Sequence, residues 1–145
     1  MVNFIKNHKF SLLVIVSATI LVVTIFILFS VDEKVNIMNI EYINSFGWQV
    51  EQNPTEISHL TIPDEFDVIY ETYNALEKNL GFDLTKYHGI KVIRYSYKVT
   101  NHKDSGNGLI RANVFVHNDK IIAADICSLE LGGFMSPIDD VLGKE

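Results

Sequence analysis

The stretch KVIRYSYKVTNHKDSGNGLIRANVFVHNDKIIAADICS, residues 91–128, decides the fold of this chain. Apolar and polar side chains alternate in residues 91–100 and again in 109–117, which is typical of half-buried β-strands. A third strand is predicted over residues 120–128. Asn118-Asp119, between the second and third strands, favours a tight hairpin turn. We therefore predict three antiparallel strands joined by short loops, a β-meander.

A helix is predicted upstream of these strands. It begins near Pro63 and the acidic residues that follow, because proline and acids both favour the first turn of a helix. It ends at Gly81, a residue suited to the C-terminal cap. Residues at helical spacing form an apolar face, which we expect to pack on the sheet: Phe66, Ile69, Tyr70, Tyr73, Leu76 and Leu80. The opposite face is expected to carry Glu71, Asn74, Glu77 and Lys78.

The pattern between residues 37 and 62 predicts three further elements. Apolar residues recur every three positions over residues 37–46, which indicates a short helix. Residues 47–51 alternate as a half-buried strand does, and a second extended piece covers Ile57 to Ile62. The predicted order is α-β-β-α-β-β-β. The expected fold is α+β, with one antiparallel sheet packed on one face by the main helix.

An uncharged run of 22 residues, from Phe10 to Val31, precedes this region. A bilayer core about 30 Å thick needs roughly 20 apolar residues in a helix, so the run predicts a transmembrane helix. A cleaved signal peptide is the alternative, but its apolar core is about 7 to 15 residues long and ends in a small-residue cleavage site. The run is longer than that, and its exit lacks an Ala-x-Ala sequence.

The charges beside the run predict its orientation. Lys6 and Lys9 precede it, and Asp32 and Glu33 follow it. Positive residues favour the cytoplasmic side, so we expect a single-pass cell-membrane protein with the N-terminus inside. The predicted organisation is a cytoplasmic tail (1–9), a transmembrane helix (10–31), a short linker (32–36), an extracytoplasmic α+β domain (37–136) and an irregular tail (137–145).

The balance of charge limits which classes of partner the protein can bind. All 18 acidic residues follow Val31, against 10 of the 12 basic ones, which gives that part a net charge of −8 with histidine neutral. Nucleic-acid binding needs a basic face, so no nucleic-acid partner is expected. The excess of acids is typical of a solvated surface. The predicted partners are the lipid bilayer, through the N-terminal helix, and a protein or peptide at the outer membrane face.

The sequence contains no pattern typical of a catalytic site or a metal site. The histidines after residue 31 are scattered, without the clustering that a metal site needs, so no metal or cofactor is expected. Cys127 is the one cysteine, and it is the one residue of interest as a nucleophile. It would need a base from His88, His102 or His117, which only the fold could supply.

Several short motifs together resemble the bacterial family catalogued as domain of unknown function 4830. They are GWQV (47–50), IPxxF (62–66), YNxL (73–76), GFDLxxYxG (81–89), RYxYxVxN (94–101), DICS (125–128) and GFM (133–135). Most of these motifs are turns, caps and aromatic core. The resemblance implies a short membrane-anchored protein with one such domain outside, covering about residues 40–136. It implies no activity.

Three functions stay open at the level of sequence. The leading hypothesis is a non-catalytic binding or regulatory module, since strand edges can accept an extended peptide and no catalytic set is present. The second is an envelope-facing sensor in which the tyrosines of the main helix line a small-ligand pocket. The third is a thiol or hydrolase-type enzyme that uses Cys127.

Overall fold

The computed structural model describes residues 2–140 and 143; within the first helix, side chains are described for residues 14–21, 23 and 33–45. The chain divides into two compact units, Met1–Val35 and Asn36–Glu145. The elements are α1 (Val2–Ser45), β1 (Glu56–Thr61), α2 (Val68–Asn79), β2 (Lys91–Lys98), β3 (Ile110–His117), β4 (Lys120–Ser128) and β5 (Met135–Pro137), with 3-10 turns at Leu84–Tyr87 and Ser105–Asn107.

The five strands form one antiparallel sheet in the order β1-β2-β3-β4-β5. This confirms the predicted meander of β2, β3 and β4. The hairpin turn also forms as predicted, because Asn118 and Asp119 both adopt positive φ angles, 48° and 57°. Two such residues in succession give a turn whose twist matches that of the strands it joins.

A β-bulge changes the register of β3 against β4. Beside the turn, Val116 pairs with Ile121, but the next pair is Phe115 with Ala123, which leaves Ile122 as the extra residue. Side chains alternate along a strand, so one extra residue moves every later side chain to the other face. Asp125 therefore lies opposite Asn113; without the bulge it would lie opposite Ala112.

Helix α2 begins with a side-chain cap. Asp67 Oδ1 accepts hydrogen bonds from the backbone N–H of Ile69 (3.0 Å) and Tyr70 (2.8 Å). The helix ends as the sequence predicts: Gly81 has a φ of 88°, and Phe82 N donates to Glu77 O at 3.1 Å. Gly81 N also donates to Lys78 O at 3.1 Å, and these two bonds satisfy carbonyls that the end of a helix leaves free.

The predicted faces of α2 are wrong at three positions. Ile69, predicted to be buried, is 72% exposed, whereas Asn74 and Glu77, predicted to face solvent, are buried. Asn74 Oδ1 accepts from Leu84 N at 2.7 Å, and Glu77 Oε2 accepts from Ala124 N at 2.9 Å. Buried backbone N–H groups need partners, and these two side chains supply them.

The second face of the sheet is also covered, so the prediction of a sheet packed on one face is wrong. Tyr97, Val99 and Val114 on this face are fully buried. The Tyr97 hydroxyl donates to Asn36 Oδ1 (2.8 Å) and accepts from Asn39 Nδ2 (3.1 Å), both on the C-terminal part of α1. The sheet is therefore a central layer with helix on both faces.

The predicted order α-β-β-α-β-β-β is wrong at two places. Residues 47–51 form an isolated bridge, Val50 with Val99, instead of a strand, because Trp48 is drawn inward and donates from Nε1 to Ile138 O at 2.7 Å. A strand that the sequence did not predict, β5, pairs with residues 125–127 of β4. The short helix predicted over 37–46 is the last part of α1.

The prediction of a transmembrane helix from Phe10 to Val31 is contradicted. Within the residues that the structure describes, no helix combines the length and the apolar character needed to cross a membrane. The uncharged run is not an element of its own, because α1 continues without a break through Asp32, Glu33 and Lys34 to Ser45. The membrane location and the orientation, which depended on this span, stay predictions.

The cap of α2 gives a first test. Replacing Asp67 by alanine removes the acceptor for two backbone N–H groups and should lower the free energy of unfolding by about 1 kcal/mol. Urea denaturation measures this loss. Glu65→Ala is the control, since Glu65 is also an exposed acid just before the helix but does not cap it. An equal loss in both variants would mean that charge near the helix start, and not the cap, stabilises α2.

Candidate functional site

Three polar side chains lie in one row across the middle of the sheet. Ser96, Asn113 and Asp125 occupy directly opposed positions on β2, β3 and β4, and all three are buried. Ser96 Oγ donates to Asn113 Oδ1 at 2.6 Å, and Asn113 Nδ2 donates to Asp125 Oδ1 at 2.7 Å. The row is thus a continuous chain of hydrogen bonds that ends on a carboxyl group.

Helix α2 completes the environment of that carboxyl group. The Tyr73 hydroxyl donates to Asp125 Oδ2 at 2.9 Å, so each carboxyl oxygen accepts one hydrogen bond from a neutral group. Burial raises the pKa of Asp125 to about 6, although the hydrogen bonds from Asn113 and Tyr73 lower it. Asp125 is 2% exposed and has no ion-pair partner among the described residues. It is therefore a buried acid that is ionised near neutral pH, and the positive charge of Arg94 on β2 also favours its ionised form.

A cavity of about 190 Å³ opens above this row, between α2 and the sheet. We call it the α2 pocket. Its polar wall consists of Tyr73, Arg94, Asn113 and Asp125. The rest of the lining is mostly apolar and is formed by Ile62, Ile69, Tyr70, Leu84, Phe115 and Met135. A few convergent polar groups within apolar walls are the usual composition of a small-ligand site.

Arg94 is the one basic residue in the lining of the α2 pocket. Its Nη2 forms an ion pair with Glu56 Oε1 on β1, at 3.0 Å. Its Nε is buried and has no hydrogen-bond partner among the described residues. Arg94 therefore already has one direct acidic partner, and its charge also favours the ionised form of Asp125.

Glu77 is a second buried acid, one turn of α2 beyond Tyr73. It is fully buried, and its Oε1 has no hydrogen-bond partner in the described part of the chain. Burial raises the pKa of Glu77 to about 8, against a lowering by the bond from the Ala124 N–H; the nearby Asp125 charge raises it further. Glu77 is therefore mainly protonated and neutral at pH 7.

Cys127, the candidate nucleophile, lies beside the same row. Its Sγ accepts a hydrogen bond from Asn113 Nδ2 at 3.2 Å. Burial, followed by the charge of Asp125, raises the pKa of the Cys127 thiol to about 11. Because the thiolate is the reactive form, this thiol is held in its unreactive state.

The structure brings none of the candidate histidines into contact with Cys127. His88 Nδ1 lies 2.7 Å from Pro63 O, and His117 Nδ1 lies 3.1 Å from Lys91 O. His102 stacks between the rings of Trp48 and Phe134, at centroid distances of 6.0 and 5.4 Å. The three histidines hold loops and strand ends in place. Within the described residues, Cys127 has no base.

A second cavity, of about 250 Å³, lies beside the stacked His102 ring. It is lined by His102, Lys103, Asp104, Phe134, Ser136 and Asp140. The His102 ring is 3% exposed, and its Nδ1 accepts from Asp104 N at 3.1 Å. The His102 ring is thus already engaged in holding the loop after β2.

The described residues contain no group of three or more His, Cys, Asp or Glu side chains placed to hold a metal ion. The carboxyl groups of Asp125 and Glu77 are both close to Tyr73 but bond to different partners. Their arrangement favours the binding of a hydrogen-bond donor over the coordination of a divalent cation, which takes six or more oxygens.

The lining of the α2 pocket includes Tyr70 and Tyr73, the tyrosines that the sequence offered for a small-ligand pocket, but sequence reasoning did not identify Asn113 and Asp125. One signal was present: Asp125 is a lone acid within the apolar run of β4, and Asn113 is a lone amide within that of β3. Polar residues in buried strands are uncommon and are hydrogen-bonded when they occur. The bulge at Ile122 could not be predicted from the sequence. Without it, simple counting from the hairpin turn pairs Asn113 with Ala124 instead of Asp125.

The fold and site define an α+β protein with a five-stranded antiparallel meander and a polar-walled pocket beneath one helix. The chain belongs to the family described as domain of unknown function (DUF4830), whose model matches residues 42–126. That span contains every residue of the α2 pocket except Met135. Comparison with the curated proteins and with the solved structures gave no match.

The raised pKa of Glu77 predicts how stability depends on pH. The folded chain keeps the proton to about pH 8, whereas the unfolded chain releases it near the ordinary value of 4.5. The unfolded state therefore binds fewer protons between these values, and stability falls as pH rises. From pH 6 to 8 the free energy of unfolding should drop by about 2 kcal/mol on account of Glu77.

Urea denaturation of the wild type and of Glu77→Gln at pH 6, 7 and 8 measures this slope. The neutral glutamine removes the titration. The free energy of unfolding of the variant should therefore change by less than about 1 kcal/mol between pH 6 and 8. Glu71→Gln, a change of an exposed glutamate on the same helix, should keep it. Parallel slopes in the wild type and Glu77→Gln would show that Glu77 does not stay protonated in the folded chain.

Proposed function

We propose that this protein is a non-catalytic binding module whose ligand is a small molecule held in the α2 pocket. The observation that carries the proposal is the pocket itself, which places a buried carboxyl group, an amide and a phenol at one wall of an otherwise apolar cavity. Such a pocket binds a ligand with an apolar body and one polar end.

The size of the pocket limits the ligand. An apolar cavity of about 150 Å³ accommodates benzene, and the α2 pocket measures about 190 Å³. A single six-membered ring with a short substituent, or an alkyl chain of similar volume, therefore fits. Larger ligands would have to extend from the mouth of the pocket onto the surface around it.

The mouth of the pocket is apolar and exposed. Ile69 on α2 and Met135 on β5 both line the pocket and are 72% and 56% exposed. Apolar side chains that leave the core and surround a cavity are more typical of a binding site than of a plain surface.

The chemistry of the pocket supports binding without catalysis. The acid in its lining, Asp125, accepts hydrogen bonds at both oxygens from side chains of the protein. Cys127 is protonated and has no base among the described residues, and a nucleophile without a base is inactive. The groups present can orient a ligand, but they lack the pairing of nucleophile and base that a hydrolase requires.

A peptide partner is the second candidate, and one observation favours it. Strand β1 is an edge of the sheet and pairs on one side, with β2, and Ile57 on it is 53% exposed. An extended peptide can add a strand to such an edge through main-chain hydrogen bonds. Chemical-shift changes along β1, in place of the α2 pocket, would indicate this mode of binding.

The proposal is tested with benzyl alcohol as a probe and the full chain labelled with ¹⁵N. Titration should shift the amide signals of Tyr73, Asn113 and Phe115. Ile69→Trp places a bulky side chain across the mouth and should weaken binding by about tenfold or more, equal to about 1.4 kcal/mol. The matched control is Val68→Trp, which adds the same ring at an adjacent exposed position outside the lining.

Equal weakening in both tryptophan variants would mean that the probe binds somewhere other than the pocket. An absence of shifts at the three lining residues, in a folded wild-type chain at millimolar probe, would overturn the proposal. Far-UV circular dichroism of each variant confirms that the fold is retained.

A further inference from the structure

We infer that the α2 pocket selects a cationic ligand, a small primary amine with an apolar ring or chain, whose ammonium group pairs with Asp125. This inference rests on the proposed function and adds the chemical class of the ligand. Three features of the pocket carry it: the balance of charge, the hydrogen-bond capacity that Asp125 has left, and the aromatic walls.

The lining contains one acidic and one basic side chain, Asp125 and Arg94. Arg94 is paired directly with Glu56 at 3.0 Å, whereas Asp125 forms no direct ion pair among the described residues, although the charge of Arg94 favours its ionised form. Buried charges are normally paired, because an isolated ion loses its solvation without compensation. A ligand ammonium would supply a direct ion-pair partner for Asp125. A ligand carboxylate would instead be repelled by Asp125.

Asp125 retains hydrogen-bond capacity for such a group. A carboxylate has about four acceptor positions, and two are used by Asn113 Nδ2 and Tyr73 Oη, at 2.7 and 2.9 Å. The remaining positions belong to a group that lines the cavity. They suit a donor with several hydrogens, and an ammonium group has three.

The walls also suit a cation with an apolar body. Tyr70, Tyr73 and Phe115 contribute aromatic rings to the lining, and the rings of Tyr73 and Phe115 lie 5.9 Å apart at an interplanar angle of 51°. The faces of such rings attract ammonium groups, and more strongly where water is excluded. The same rings pack against the apolar part of the ligand.

The other groups around Asp125 are compatible with this reading. Tyr73 and Glu77 face it from α2, Arg94 from β2 and Cys127 from β4. Tyr73 and Cys127 are neutral at pH 7, because burial raises the pKa of both. Glu77 is mainly protonated, since its pKa is about 8. Asp125 thus carries the one negative charge that a ligand in the pocket would meet directly.

The test compares three probes of one shape: benzylamine, benzyl alcohol and benzoate. Each is titrated into the full ¹⁵N-labelled chain at pH 7.5, and the dissociation constant is taken from the amide signals of the pocket residues. Benzylamine should bind about tenfold more tightly than benzyl alcohol, and benzoate should bind least. Asp125→Asn keeps the shape of the side chain and should abolish the preference for the amine while keeping the binding of the alcohol.

The matched control is Asp139→Asn, which removes an exposed acid outside the lining and should leave the preference intact. A pH series on the wild type provides a test that needs no variant. The amine stays protonated from pH 7.5 to 5, whereas Asp125, with a pKa of about 6, becomes protonated. The amine should bind about tenfold more weakly at pH 5 than at pH 7.5, and the alcohol about equally.

The outcomes separate this inference from the proposed function. If benzyl alcohol or benzoate binds in the pocket as tightly as benzylamine, the selection of a cation is refuted and the small-ligand function stands. If none of the three probes shifts the pocket signals, both fail. If the preference for the amine survives in Asp125→Asn or is independent of pH, Asp125 is not the group that recognises it.

Discussion

One extra residue in a strand determines where the buried acid of this protein lies. The bulge at Ile122 shifts the register of β4 by one position, so that Asp125 faces Asn113 and Tyr73. In a regular hairpin it would point to the opposite face, among the apolar side chains around Tyr97 and Val114. A carboxyl group buried there would lack partners and cost several kcal/mol. The polar row, the packing of α2 and the α2 pocket all depend on this register.

Helix α2 is adapted to the same constraint. Its inner face presents Tyr73, Asn74 and Glu77, and each forms a hydrogen bond with a polar group outside the helix. Tyr73 donates to the Asp125 carboxyl, Asn74 accepts from the Leu84 N–H, and Glu77 accepts from the Ala124 N–H. The Ala124 N–H needs such a partner because β5 pairs with residues 125–127 of β4 and no further. The helix therefore completes hydrogen bonding at the edge of a short strand, and its apolar Ile69 is left exposed at the pocket mouth.

Local patterns in the sequence predicted the local structure well. Alternation identified β2 and β3, Asn118 and Asp119 identified the turn, and Gly81 identified the end of α2, because each of these is set by local side-chain pattern or backbone preference. The errors came from tertiary contacts. The face of α2 depends on which backbone N–H groups need an acceptor, and β5 forms since β4 offers it an edge, although residues 135–137 show no strand pattern of their own.

The candidate site was the least predictable part. Asp125 and Asn113 stand out as polar residues in apolar strands, but a bulge leaves no clear signal in a single sequence, and it alone decides that they meet. Cys127 and the histidines were the catalytic candidates at the level of sequence, because they are reactive residue types. The structure shows Cys127 as a neutral neighbour of the polar row, while the group with unused capacity is a carboxyl that sequence reasoning had treated as part of a strand.

The protonation of Asp125 is the most direct test of this account. Its carboxyl ¹³C signal, assigned by comparison with Asp125→Asn, can be followed by NMR from pH 4 to 8 in the full chain, with and without saturating benzylamine. The account predicts a pKa near 6 in the free protein and a clearly lower one in the presence of the amine, because the bound ammonium stabilises the carboxylate. A pKa near the ordinary 3.8, unchanged by the amine, would contradict both the buried unpaired acid and its role in recognition.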